Sequence, residues 1–246
     1  MRILCMLPAA KGVYPAEAEQ RRLEVMQSYA SPATQIDVDY MPDVSGFNPW
    51  GGQDEPEHGR ADLVRRAHEL GAERALKAEQ EGYDAFCPYG VLDIGVEEAR
   101  GRGLRIPAVG QGEAALACGT LGRRFASCSY VLNPEAEERL AARIRTWGVA
   151  ELYAGATAIG IPNSEYPQRR PEVLERFVEC ARRAQGMGAE MMGLVAMSIC
   201  PTEFSARQLS EASGMPVLDA LANQIAVAEW WHRTGLQPSL LRMPRL

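Results

Sequence analysis

The chain has 246 residues, 46% of them hydrophobic and 24% charged, enough for one large α/β domain or two smaller ones with a real core. Its 32 acidic residues outweigh 26 basic ones for a net charge of −6, and without a basic cluster this argues against nucleic acid or anionic membrane as partner. No run approaches the ~20 apolar residues of a membrane span. The start, MRILCMLPAAKG, lacks the layout of a signal peptide, so a cytoplasmic protein is expected.

Strand-like and helix-like segments then alternate along the chain. RILCML (2–7) reads as a strand, with a helical stretch from Ala16. QIDVDYM (35–41) alternates apolar and polar, as a half-buried strand does. The segment PDVSGFNPWGGQDEPEHG is loaded with turn formers. A loop of that length is a working lid or poorly ordered, and Trp50 within it is a candidate cover for a site. A long helix is expected over roughly 60–81, then a strand at DAFCPY, a turn and a helix from about Asp93. The short strand IPAVGQ, a helix near 112–120, the strand RFASCSY and a helix at 134–146 continue the pattern. A second turn-rich stretch, ATAIGIPNSEYPQRRP, precedes a helix over 171–185. EMMGLVAMS is the next strand, Pro201 opens a helix, PVLDAL is a last strand, and a helix runs through Glu229. Such alternation predicts parallel sheets with helices on both faces.

The six cysteines are Cys5, Cys87, Cys118, Cys128, Cys180 and Cys200, with no C-x-x-C pair among them. That spread argues against a disulfide framework or a structural zinc site, and the three histidines have no ligand spacing. Cys5, Cys118 and Cys180 fall inside apolar patterns and read as core filler. Cys200 differs, because VAMSICPTEFSARQL places it where a strand turns into a helix. Pro201 suits a first helical position, and Thr202 and Glu203 suit a first turn. A helix N-terminus lowers a thiol's pKa and makes it a useful base.

Two stretches echo one another. RIPAVGQGEAALA (105–117) and GMPVLDALANQIAVA (214–228) share a turn, an x-Pro step, a short apolar strand and a helix rich in small residues. Cys200 lies 16 residues before Pro216; the residue 17 before Pro107 is Gly90, while Cys87 is 20 before it. The halves therefore look like a duplicated unit.

With MRIL, GYDAFCPYGVLDIGVEEAR, IPAVGQGEAAL, RRFASCSY, GAEMMGLVAMSICPTE, GMPVLDAL and AEWWHRTGLQPS in that order, nearly the whole chain resembles the aspartate/glutamate/hydantoin racemase superfamily. The layout is most similar to that of the hydantoin racemases. The resemblance implies an α/β fold of two pseudo-twofold-related parallel-sheet lobes with the active site between them. Here these are expected at 1–118 plus 214–246 and at 119–213, with PVLDAL in the first lobe's sheet. It also implies cofactor-independent, metal-free chemistry, with one thiolate removing a proton beside a carboxylate or carbonyl and a second thiol returning one. The implied partner is a small carboxylate or hydantoin-like substrate, and a homo-oligomer stays open.

On that pattern the catalytic candidates are Cys200 and Cys87. The lobes depart from it, however. An ungapped match puts Gly90 at the first cysteine position, with Cys87 three residues earlier, and puts Ala196 at the second. The family's Asn-Pro pair after the first strand is replaced by Leu7-Pro8-Ala9-Ala10. Its hydroxyl pair corresponds to Ser129 and Tyr130, with Ser127 nearby, and Ser129 is a candidate carboxylate donor. Gly90, Tyr89, Gln111, Pro201 and Thr202 complete the candidate substrate-binding set. Glu113 reads as a helix-start residue, and Asp219 either caps the last helix or touches ligand.

Three functions stay open, of which the first is the expected one and the second the runner-up. The first is a racemase or epimerase working through two acid–base groups. The second is a decarboxylase or cis–trans isomerase with one thiol, since arylmalonate decarboxylases carry a glycine at the first cysteine position. The third is a non-catalytic binder of small carboxylates.

Overall fold

The computed structural model describes residues 1–12, 15–42, 61–90, 92–130, 132 and 134–236. Trp50 and most of the first long loop lie outside them. The chain forms two compact units, passing from the first to the second after Gly110 and returning after Ala220.

In the first unit, β1 (Arg2–Leu7) lies between β2 (Gln35–Tyr40) and β3 (Ala85–Pro88), all parallel. A central strand is covered on both faces, which explains why ILCML, after the exposed Arg2, is an unbroken apolar run rather than an alternating one. Beyond β3 the chain adds a single bridge, Phe86 to Ala108. There the Phe86 N–H donates to the Pro107 carbonyl (2.8 Å) and the Val109 N–H to the Phe86 carbonyl (2.9 Å). The helices are α1 (Ala16–Tyr29), α2 (Ala61–Gln80), α3 (Val96–Gly101) and, after the second unit, α8 (Ala220–Thr234). Ala67, Ala72, Ala75 and Ala78 line the buried face of α2 beside Leu4, Met6 and Phe86. Gly95, at φ +82°, abuts α2 so closely that a Cβ there would stand 2.3 Å from the Gly71 carbonyl carbon.

The second unit repeats this plan. β4 (Phe125–Ser129) lies between β5 (Tyr153–Ala158) and β6 (Met191–Val195), again all parallel, and Met192 bridges to Val217. The Met192 N–H donates to the Pro216 carbonyl (2.8 Å) and the Leu218 N–H to the Met192 carbonyl (2.9 Å), the same pair of bonds as at Phe86. The echo anchored on Pro107 and Pro216 is thus a structural repeat. The flanking helices are α4 (Gly112–Thr120), α5 (Pro134–Thr146), α6 (Arg170–Gly186) and α7 (Ala206–Ser213). A duplicated α/β architecture with parallel sheets is what the sequence predicts.

Four expectations are corrected. PVLDAL extends the second unit's sheet, not the first, because Val217 pairs with Met192. The changeovers accordingly fall at 110 and 220 rather than at 118 and 214. No helix opens at Pro201: residues 200–204 form turns, and α7 begins at Ala206, where Ser205 and Gln208 build a capping box. The helix expected from Asp93 starts at Val96, since Asp93 itself takes a left-handed backbone (φ 49°). β5 was hidden in the sequence, because YAGATA is poor in the branched and aromatic residues that mark strands.

Candidate functional site

Ligands of open parallel sheets sit beyond the carboxyl ends of the strands, so the tips of β3, β4, β5 and β6 are where function is sought. All six cysteines are buried and none is in a disulfide. Their positions decide what each can do.

Cys87 is inside β3, in register with Cys5 of β1, and both are 1% exposed. It belongs to the sheet and not to its tip. The tip is Tyr89–Gly90. The Tyr89 N–H donates to the Met6 carbonyl (2.8 Å), and its buried ring has the Arg22 guanidinium 5.7 Å from the centroid. Gly90 adopts φ +120°, and a Cβ there would meet nothing within 4 Å.

Two residues passed over in the sequence hold this tip in place. Gln224 of α8, fully buried, donates its amide N–H groups to the carbonyls of Pro88 (2.9 Å) and Val109 (2.6 Å), tying β3 to its neighbour. Asp93 is buried and is the one non-glycine residue with a left-handed backbone among the described residues. Its carboxyl packs so tightly on Gly110 that a Cβ there would lie 2.3 Å from the Asp93 Cγ.

In the second unit the Ala196 N–H donates to the Cys128 carbonyl (2.8 Å), as Tyr89 does to Met6. Ala196 is therefore the echo of Tyr89 at the strand tip, and Cys200 stands one turn further on. The N–H groups of Ile199 (2.8 Å) and Cys200 (3.0 Å) both donate to the Ala196 carbonyl. Cys200 packs in a buried cluster with Ile199, Phe204, Leu209 and Met215 and is 1% exposed. Burial, reinforced by the charge of Asp219, pushes its pKa well above the ordinary thiol value of 9.0. The expected thiolate at a helix N-terminus is thus a neutral thiol in a turn. Pro201 is buried beside it, and the Thr202 hydroxyl donates to the Met197 carbonyl (2.7 Å), which fixes the turn.

The remaining candidates are dispersed. Ser129 ends β4 half-buried, and its carbonyl accepts the Ile159 N–H (3.0 Å). The Tyr130 carbonyl accepts the Gly160 N–H (3.0 Å), and its side chain packs on the same cluster as Cys200. Ser127 is buried, with its hydroxyl 2.9 Å from that of Tyr153. Gln111, fully buried, precedes α4, and Glu113 sits in that helix's first turn. Asp219 immediately precedes α8.

Three further polar residues meet at the same edge. The Ser198 hydroxyl donates to Asn163 Oδ1 (3.0 Å), and Tyr166 follows in the same loop after β5. They come from the turn-rich NSEYP and from the tail of AMS, and polar residues in loops at strand ends were the available signal. Among the described residues, no group of three or more His, Cys, Asp or Glu is placed to hold a metal ion, and no helix is long and apolar enough to cross a membrane.

Solved structures of other proteins share this duplicated fold. It is shared with allantoin racemase from Pseudomonas fluorescens, at a TM-score of 0.77 and 22% identity over 100% of this chain and 98% of that one. Allantoin racemase from Klebsiella pneumoniae matches at 0.73 and 20% identity, over 100% and 94% of the two chains. A liganded arylmalonate decarboxylase variant, with one glycine changed to cysteine and one cysteine to serine, matches at 0.64 and 14% identity over 95% and 93%. At these identities what is shared is the fold. No family model matches the chain, and no curated protein matches its sequence.

Proposed function

We propose that the protein is a cofactor-independent enzyme of small organic acids that protonates a carbon alpha to a carboxylate from one face, as a decarboxylase does, with Cys200 as the proton donor. The placement of the thiols carries this reading. Cys87 lies within the sheet, Gly90 stands at the tip of β3, and Cys200 alone among the six cysteines lies in a loop at the carboxyl end of a strand.

A racemase needs one ionised and one protonated group. The burial that raises the Cys200 pKa keeps its sulfur protonated at neutral pH, which suits an acid rather than a base or nucleophile. In the reaction, the bond from the alpha carbon to one carboxyl group breaks and carbon dioxide leaves. The electron pair remains as an enediolate, the Cys200 S–H proton goes to carbon, and solvent reprotonates the sulfur. Hydrogen-bond donors at the strand tips would hold the enediolate oxygens. The resemblance to arylmalonate decarboxylases, in which a glycine occupies the first cysteine position, agrees with Gly90.

A racemase acting on allantoin or hydantoins is the second reading, favoured by the TM-score of 0.77 to an allantoin racemase. It requires a second acid–base group, and the ionisable residue at the β3 tip itself is a tyrosine, Tyr89.

The test is incubation with arylmalonates, alkylmalonates, allantoin and hydantoins in deuterated water. Carbon dioxide release with one deuterium at the alpha carbon, lost in Cys200→Ala, supports the proposal. Exchange with inversion on a hydantoin and no carbon dioxide from any malonate moves the assignment to the racemase.

A further inference from the structure

We infer that Tyr166, Ser198 and Asn163 form an anchoring point for a carboxylate oxygen of a small organic acid at the carboxyl edge of the second unit's sheet. This deepens the proposed function, because it names the groups that would hold the acid. It rests on that reading only for the choice of probe.

The residues come from loops that follow adjacent strands. Asn163 opens the short 3-10 turn after β5, Tyr166 closes it, and Ser198 follows β6, while β4 lies between the two strands. Distant in sequence, they are gathered at the sheet edge where ligands of this architecture bind. Ser198 is half-buried, whereas Asn163 and Tyr166 are buried.

Tyr166 is the telling member. Only 1% of it is exposed, yet its phenol oxygen has no hydrogen-bond partner of ordinary geometry. Burial raises its pKa well above 10.0, so the group is an intact O–H donor. The Ser198 hydroxyl is close enough to hydrogen-bond toward its oxygen, while Cys128, Tyr130 and Cys180 act on it electrostatically, and none of these accepts its proton. A buried donor without an acceptor costs a fold stability, and an oxygen acceptor from outside removes that cost. The Ser198 hydroxyl, which donates to Asn163 Oδ1, is a second donor that can turn to an incoming oxygen. Neutral donors of this kind stabilise an anionic oxygen where water is excluded. Tyr166 and Cys200 also share one buried cluster, so an acid held here is held within the same unit and core as the proposed proton donor.

The experiment is calorimetric titration of the full chain with malonate, phenylmalonate and benzoate, alongside thermal unfolding. The wild type should bind at least one of them. Tyr166→Phe should weaken binding about tenfold or more while its melting temperature stays level or rises, because the change removes a donor that has no partner. Ser198→Ala should weaken binding less, and Cys200→Ala should leave binding in place. A lower melting temperature with unchanged affinity in Tyr166→Phe would make the phenol a packing element and overturn the inference. Absence of binding to all three probes by the wild type would overturn it as well. Binding without carbon dioxide release would leave the anchoring point standing and refute the decarboxylase alone.

Discussion

Cys200 and Cys87 offer a controlled comparison, because each is 1% exposed and each loses one heavy atom on conversion to alanine. Removing one buried heavy atom from a packed core costs about 1 kcal/mol, by analogy with Ile→Val changes. For a chain of this length that corresponds to a fall in melting temperature of about 2–4 °C. Both variants should show this, Cys87→Ala through the β1–β3 layer and Cys200→Ala through its cluster with Ile199 and Phe204. Activity should separate them. Losing a proton donor costs roughly 10²–10⁴-fold in rate, so Cys200→Ala should lose that much carbon dioxide release while Cys87→Ala keeps most of it. The pH profile adds a sign. A donor must stay protonated, and with its pKa pushed above 9.0 the activity should hold through pH 9 and fall only at more alkaline pH. Differential scanning fluorimetry and carbon dioxide release on the same preparations suffice. Equal activity in both variants would return Cys200 to the core as an inert thiol, and equal loss would tie the effect to packing.

Gly95→Ala should destabilise by about 3–5 kcal/mol in urea titration, since a Cβ at 2.3 Å from the α2 backbone and a left-handed φ both oppose it. Gly90→Ala, at φ +120° but facing open space, should cost only about 1–3 kcal/mol of backbone strain. Gln224→Leu leaves the Pro88 and Val109 carbonyls without their shared donor and should cost about 2–4 kcal/mol, with a larger effect on kcat than on KM if the β3 tip shifts. Burial pushes the Cys118 thiol from 9.0 up to about 12. The unfolded chain therefore releases that proton first, and the stability this thiol contributes is full below pH 9 and lost as pH rises toward 12. Cys118→Ala should show a shallower alkaline decline in unfolding free energy than the wild type, and an identical slope would contradict the argument.

The amino-acid order by itself determined the local elements and the duplication. β1, α4 and α5 follow from apolar runs, small-residue helices and turn formers acting over a few residues, and the x-Pro steps at Pro107 and Pro216 mark the repeat wherever the chain goes. Tertiary structure decided what depends on partners remote in sequence. β5 exists because YAGATA finds β4 to pair with, and PVLDAL joins the second sheet because Val217 meets Met192. The state of Cys200 was equally out of reach, since the same Cys-Pro step suits an acidic thiol at a helix start or a neutral one in a buried turn. Only the packing of Ile199, Phe204 and Met215 around it, with Asp219 near, selects the second. Tyr166, Ser198 and Asn163 carry no motif. They become a group because parallel strands deliver their carboxyl ends to one edge, and a buried hydroxyl acquires meaning only when its neighbours, and its lack of an acceptor, are known.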